Sequence, residues 1–170
     1  MNISGGWKTY ALASAAVAAA AAAGGAAVEP DTNWYRQLAK PPWQPPPPAF
    51  GLAWTPLYAS IAWASGHALG RTSGRQRRAL LASLGVNLTL NAAWNWMFFS
   101  LRSPKVGLAG TLLLDLSNAE LIRRTGRTDP RAAAALVPYA LWCAFATALN
   151  AEIARRNPQT RKAGLHEKRR

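Results

Sequence analysis

Charged residues punctuate this chain rather than alternate with apolar ones. Residues 9–28, 41–70, 79–101 and 132–151 contain no Asp, Glu, Lys or Arg. About 20 uncharged residues, at 1.5 Å rise per residue, span the roughly 30 Å hydrocarbon core of a bilayer. A fifth run, 105–122, is interrupted by Asp115 and Glu120. The pattern predicts helices over about 7–28, 51–69, 79–101, 105–122 and 131–155. The fold class expected is all-α, an integral membrane bundle of five transmembrane helices.

Helical spacing assigns faces to these spans. Trp54, Tyr58 and Ile61 share one face of the second. Asn87, Asn91, Trp94 and Phe98 share one face of the third, beside a stripe of small residues, Gly85, Thr89 and Ala93, suited to close helix packing. On the fourth, Thr111, Asp115 and Asn118 fall together; a mid-membrane carboxylate costs about 2.5–3.5 kcal/mol on insertion scales, so Asp115 should face protein or water. Trp142, Phe145, Ala146 and Leu149 align on the fifth. Pro138 should loosen that helix near Ala134, and Pro56 should sit in the first turns of the second. The first span is nearly all Ala, weakly hydrophobic, and should pack against other helices. A cleaved leader is its competing reading, disfavoured by the length of the run and its lack of leucine.

Between the first two spans lies residues 29–50, read as a long loop. Pro41-Pro42 and Pro45 to Pro48 predict extended polyproline geometry there, and ordered loops of this length are usually functional. A basic tail, residues 157–170, follows a membrane domain of residues 1–156 and is expected to be disordered.

Composition changes the picture in three places. The 170 residues carry a net charge of +13, which by itself suggests nucleic acid, but no base-reading motif accompanies it. The basic residues sit between and after the apolar runs, as in loops flanking membrane helices. Nine Lys and Arg fall on one side of a five-span topology and eleven on the other, which sets no orientation. The single Cys143 excludes a disulfide framework, and His67 and His166 have no partner at metal-ligand spacing, so no metal and no cofactor are expected. No GxSxG, P-loop, HExxH or CxxC is present. Remaining candidates for chemistry are His67 as a haem ligand, Asp115 as a proton-relay group and Cys143 as a thiolate ligand; each has a plainer packing role. Eight tryptophans exceed ordinary usage, and Trp54, Trp94 and Trp142 lie inside runs beside polar or small residues. Indole faces with asparagine amides suit either a packed aromatic core or a flat, largely apolar ligand with a few polar atoms.

Three ordered blocks of residues resemble a known family. Trp34-Tyr35, Leu38, Lys40-Pro41, Trp43, Pro45-Pro46, Phe50, Trp54-Thr55 and Leu57-Tyr58 form the first. Asn87-Leu88-Thr89-Leu90-Asn91 with Trp94 and Phe98-Phe99 form the second, and Val137-Pro138-Tyr139, Trp142, Phe145-Ala146-Thr147 and Leu149-Asn150 the third. Together they resemble the TspO/MBR family of bacterial tryptophan-rich sensory proteins and mitochondrial translocator proteins (peripheral benzodiazepine receptors). The resemblance implies a five-helix membrane bundle, commonly dimeric, whose first loop covers a pocket for porphyrins such as protoporphyrin IX and haem and for benzodiazepine-type ligands. By motif, that pocket would hold Tyr35, Trp54, Tyr58, Asn87, Asn91, Trp94, Trp142, Phe145 and Ala146. It implies a receptor or carrier regulating tetrapyrrole level or transport. It leaves open a light-dependent porphyrin-degrading enzyme, in which Trp54 and Trp142 would be the catalytic pair. Leu149-Asn150 is followed by Ala151 with no tyrosine before Arg155, so the sterol-recognition pattern of the animal proteins fails and sterol is a doubtful partner. The expected partners are porphyrin or haem, the lipid bilayer and a second copy through the Gly85 stripe. The Ala- and Arg-rich composition points to a bacterial cell membrane.

Overall fold

The computed structural model describes residues 6–158, which are helical throughout apart from short connections, with no strand among them. Residues 159–170, and with them His166 and most of the basic tail, lie outside the described residues. The helices are α1 (Gly6–Gly25), α2 (Asn33–Gln37), α3 (Pro47–Gly70), α4 (Gly74–Asn95), α5 (Pro104–Gly126) and α6 (Pro130–Arg156); a π-helical turn, Trp96–Ser100, continues α4.

Several ends differ from the sequence expectation, each for a local reason. Pro47 and Pro48 start α3 instead of extending the loop. The first amides of a helix have no intrahelical acceptor, so proline loses nothing there. That earlier start leaves Pro56 inside the helix rather than in its first turns. The Leu52 carbonyl, which loses its i+4 donor, sits on the exposed face. α4 begins before Ala79 and carries Arg75, Arg77 and Arg78 in its opening turns; Arg77 donates to the Leu69 carbonyl and ties it to the end of α3. α5 continues to Gly126, with Arg123 and Arg124 paired to Glu120 at 2.7 and 2.5 Å. In α6 the Asp129 carboxylate caps the first turn, accepting from Arg131 N and Ala132 N, and the helix runs unbroken through Pro138. The predicted loop contains α2, capped by the Thr32 hydroxyl.

The five long helices close a ring in the order α1, α4, α5, α6, α3. α3 and α4 follow each other in sequence but pack mainly on α1 and their other neighbours. Ala13, Val17, Ala20 and Gly24 form the inward face of α1, at i, i+4, i+7 and i+11. Small residues there allow close approach: a Cβ at Gly24 would lie 3.2 Å from Ala92 Cα, and one at Gly66 only 2.8 Å from Tyr10 Cα.

Polarity is distributed inside out. Asn87, Asn91, Thr111, Asn118, Thr125 and Asn150 are buried, while Leu52, Leu116 and Leu141 are 76%, 70% and 66% exposed. Such an arrangement suits a lipid surround, which leaves apolar side chains at no cost and demands partners for polar ones. By hydropathy alone, α6 is the one helix among the described residues long and apolar enough to cross a membrane.

At the arginine-rich end, His67 Nε2 lies 3.0 Å from Asp129 Oδ2, and its Nδ1 lies 2.9 Å from the Tyr10 hydroxyl and 3.0 Å from Arg71 Nη1. This cluster joins α1, α3 and the cap of α6. The amides of Ala132 and Arg131, and His67, hold the Asp129 carboxyl below its ordinary range against the opposing effect of burial.

The Gly66–Tyr10 approach is backbone against backbone, so it cannot be relieved by a rotamer change. Gly66→Ala should part α1 from α3 and cost about 1–3 kcal/mol, read as a lowered melting temperature in detergent, whereas Gly51→Ala, in open space, should leave it unchanged.

Candidate functional site

The connection from α1 to α3 folds over the end of the bundle where α4 and α6 finish and α3 and α5 begin. Two anchors hold it. Leu38 is buried on Phe98, Leu149 and Ile153. Ala39 makes a reciprocal pair with the Asn157 amide, its N–H donating to Oδ1 and its carbonyl accepting from Nδ2, both at 3.0 Å. The loop also closes on itself: Lys40 Nζ donates to the Tyr35 carbonyl at 2.5 Å and lies 4.2 Å from the centre of the Tyr35 ring. Partial burial lowers the Lys40 ammonium pKa, and burial raises that of the Tyr35 hydroxyl against the bond from Gln44 Nε2.

Beneath the loop the rings form two connected layers. In the outer layer Tyr35 meets Phe99 at 5.5 Å and Phe98 at 6.3 Å, and Trp34 meets Phe98 at 5.4 Å. Trp94 stacks on Phe98 at 5.3 Å and anchors its indole N–H on the Gly107 carbonyl at 3.0 Å. The π-helical turn carries Phe98 and Phe99, both of which reach this layer; such turns are frequent at functional sites. Phe145 carries the layer across α6, touching Trp43 at 5.8 Å and Trp142 at 5.4 Å, and Phe50 meets Trp142 at 6.0 Å.

The deeper layer is Trp54 stacked on Tyr58 at 5.0 Å and inclined to Tyr139 at 6.1 Å. Below it runs a hydrogen-bond chain. Tyr58 OH donates to Asn91 Oδ1 (3.1 Å) and Asn91 Nδ2 to Tyr139 OH (3.2 Å). Tyr139 OH donates to Asn87 Oδ1 (3.1 Å), and Asn87 Nδ2 to Asn118 Oδ1 (2.7 Å) and Ser117 Oγ (3.2 Å). Ala146 lies beside the outer layer, its carbonyl accepting from Asn150 Nδ2 at 2.8 Å.

The structure thus divides the sequence-predicted residues. Tyr35, Trp94, Trp142, Phe145 and Ala146 gather near the loop; Trp54 and Tyr58 lie deeper; the buried Asn87 and Asn91 belong to the chain of hydrogen bonds beneath. Trp34, Gln44, Phe50 and Tyr139 were missed. Tyr139 stands three residues before Trp142, a spacing that puts both on one face and was available in the sequence. Trp34 Nε1, Gln44 Oε1 and Asn150 Oδ1 are buried without a hydrogen-bond partner among the described residues, so this end holds an unused donor and two unused acceptors. The other candidates lie elsewhere. His67 is at the opposite end with both ring nitrogens engaged, against its reading as a haem ligand. Cys143 is buried in the core, and Asp115 Oδ2 accepts from Thr147 Oγ1 at 2.6 Å between α5 and α6.

Comparison with known proteins bears on most of the chain. The model of the TspO/MBR family matches residues 12–156. The tryptophan-rich protein TspO of Chlorobaculum tepidum is 32% identical over 76% of this chain and 83% of its own length. The tryptophan-rich sensory protein of Cereibacter sphaeroides is 34% identical over 76% and 80%. The translocator protein of Bos taurus is 33% identical over 78% and 79%.

Because the loop's polar tether is the Asn157 amide, Asn157→Ala should loosen it while leaving the bundle folded. Limited trypsin digestion, followed by fragment mass, should show cleavage after Arg36 about tenfold faster than in the unsubstituted protein, the loss of roughly 1.4 kcal/mol from two partly exposed bonds; the Lys40–Pro41 bond resists trypsin in both.

Proposed function

This chain belongs to the TspO/MBR family, whose members are membrane-embedded, and we propose that its five long helices cross the bilayer as a receptor or carrier for porphyrins. Its ligands are protoporphyrin IX or haem, with benzodiazepine-type compounds in the same place, and its role is to regulate tetrapyrrole level or transport. The observation that carries this reading is the loop-covered aromatic site, which offers flat ring faces from Tyr35, Trp142, Phe145 and Trp54 together with the unused polar atoms of Trp34 and Gln44. Aromatic faces recognise a planar macrocycle by stacking, and the few polar atoms orient its edge. The rings contact one another, so a macrocycle enters by displacing the loop rather than by filling a ready space. Asn87 and Asn91 hold the floor of the site.

A second reading is favoured by one observation, that Trp54 and Trp142 both border this site. A bound porphyrin that absorbs light beside an oxidisable indole, with dioxygen as the oxidant, would be degraded. Such an activity shows as light-dependent loss of the porphyrin's main absorption band with a defined product, abolished by Trp54→Phe or Trp142→Phe.

The first test is a dark titration of detergent-solubilised protein with protoporphyrin IX, read by tryptophan quenching. Saturable binding is expected, weakened about fivefold by Trp54→Phe and by Trp142→Phe, the value of roughly 1 kcal/mol for a lost aromatic contact. Unsaturable quenching that is identical in all three proteins would overturn the reading.

We also propose that the protein is a homodimer in a bacterial cell membrane. Gly85 and Thr89 are exposed on the outer face of α4, and the space beyond Gly85 is open, which supports the stripe as a seam between copies. Gly85→Leu should convert the dimer to monomer in size-exclusion chromatography with light scattering; an intact dimer would remove that assignment.

A further inference from the structure

The outer surface between α4 and α5 is not smooth. A groove of about 470 Å³ runs along it, walled by Val86 and Leu90 from α4 and Leu113 and Leu116 from α5. Val86, Leu113 and Leu116 are half or more exposed. At the arginine-rich end it continues, through the shared residues Ala79 and Arg124, into a second recess of about 380 Å³ flanked by Arg75 and Arg127. Arg75 and Arg127 have no acidic partner among the described residues. Glu120, the carboxylate on the groove wall, is already neutralised by Arg123 and Arg124. The apolar part, from Ala79 to Leu90 along α4, covers twelve residues, eleven steps of 1.5 Å or about 16 Å, close to one leaflet of the roughly 30 Å hydrocarbon core.

We infer that this groove is a binding site for an anionic phospholipid, one acyl chain lying along Val86, Leu90, Leu113 and Leu116 and the phosphate held by Arg75 and Arg127. Charge complementarity chooses the occupant: a leaflet-long apolar channel ending in two unpaired guanidinium groups matches a chain ending in a phosphate, and arginine presents paired N–H donors to it. A second copy of the chain would bring its own Arg75 and Arg127 to an already cationic mouth. On α4 the groove residues Ala82 and Val86 adjoin Gly85, Thr89 and Ala93 of the stripe, so lipid and dimer partner would be neighbours on this surface. The inference rests on the chain's embedding in a membrane and not on porphyrin binding, so either can fail alone.

The test is native mass spectrometry of detergent-solubilised protein titrated with phosphatidylglycerol or with phosphatidylcholine of the same acyl chains. Phosphatidylglycerol should be retained about tenfold better. Arg75→Gln with Arg127→Gln should bring that ratio close to one, and Val86→Trp, which fills the groove, should reduce phosphatidylglycerol retention about tenfold. Helix content by circular dichroism checks each variant; the arginine pair is exposed, so it tests the site even where Val86→Trp fails to fold. Equal retention of the two lipids by the unsubstituted protein would overturn the inference, as would an unchanged ratio in the arginine variant. Displacement of the lipid by millimolar glycerol 3-phosphate alone would show a site for free phosphate instead. A dimer lost in Val86→Trp with lipid retention unchanged would give the groove to a second copy.

Discussion

The hydroxyl of Tyr139 accepts from Asn91 and donates to Asn87, and the positions of four helices depend on that pair of bonds. Through Asn91 it reaches Tyr58 on α3, and through Asn87 it reaches Asn118 and Ser117 on α5. Both asparagines come from α4 and the tyrosine from α6. In an apolar surround no water replaces a lost partner, so each of these groups is costly to leave unmade, about 1–3 kcal/mol apiece. Shifting any one helix along its axis breaks the chain at that point. The chain therefore sets the register of α3, α4, α5 and α6. α1 contributes nothing to it; its face seats Tyr10 against Gly66 of α3 and Gly24 against Ala92 of α4, and hydrogen bonds from Tyr10 OH to His67 Nδ1 (2.9 Å) and from Trp96 Nε1 to the Ala23 carbonyl (3.0 Å) hold it at its two ends.

The candidate site sits directly on this frame. Trp54 touches the ring of Tyr139 and stacks on Tyr58, so two members of the hydrogen-bond chain also fix the deeper indole. The outer layer is held differently, by ring contacts and by the loop. Local order should therefore fall from the polar frame outward to the loop, as expected where few buried bonds restrain a segment. A candidate site with a hydrogen-bonded floor and a cover held mainly by ring contacts is the consequence, and it follows from which residues are asparagine and which are aromatic.

Much of this was legible as faces. The spacing of Asn87, Asn91, Trp94 and Phe98, and of Trp54 with Tyr58, put the correct residues on the correct sides. The spacing does not say which faces meet, and so Tyr139, which joins three of them, went unremarked although it lies within one of the quoted motifs. The helix ends were misread where chemistry at the terminus overrides composition. Proline reads as a breaker, yet Pro47 and Pro48 occupy first-turn positions that need no donor. Arginines read as loop, yet Arg75, Arg77, Arg78, Arg123 and Arg124 lie on helical turns at the ends of α4 and α5, where their charges reach beyond the apolar part. The π-helical turn after Asn95 has no signature in residue type; it follows from packing Phe98 and Phe99 under the loop.

The two ends of the bundle are closed by bonds of different strength, and this bears on how a ligand would travel. The arginine-rich end is tied by Tyr10, His67, Arg71 and Asp129, by Gln76 on Thr128 and by Arg77 on the Leu69 carbonyl. Passage along the bundle axis would also require opening the asparagine–tyrosine chain, five hydrogen bonds that each cost about 1–3 kcal/mol when left unmade in an apolar interior. Displacing the loop breaks the Ala39–Asn157 pair, partly exposed, and separates rings that a flat ligand would cover again. Entry and exit through the loop end are therefore far cheaper than transit through the middle. That difference argues for a protein that takes up and releases its ligand at one end, as a receptor or a carrier between partners does, rather than for an axial pore.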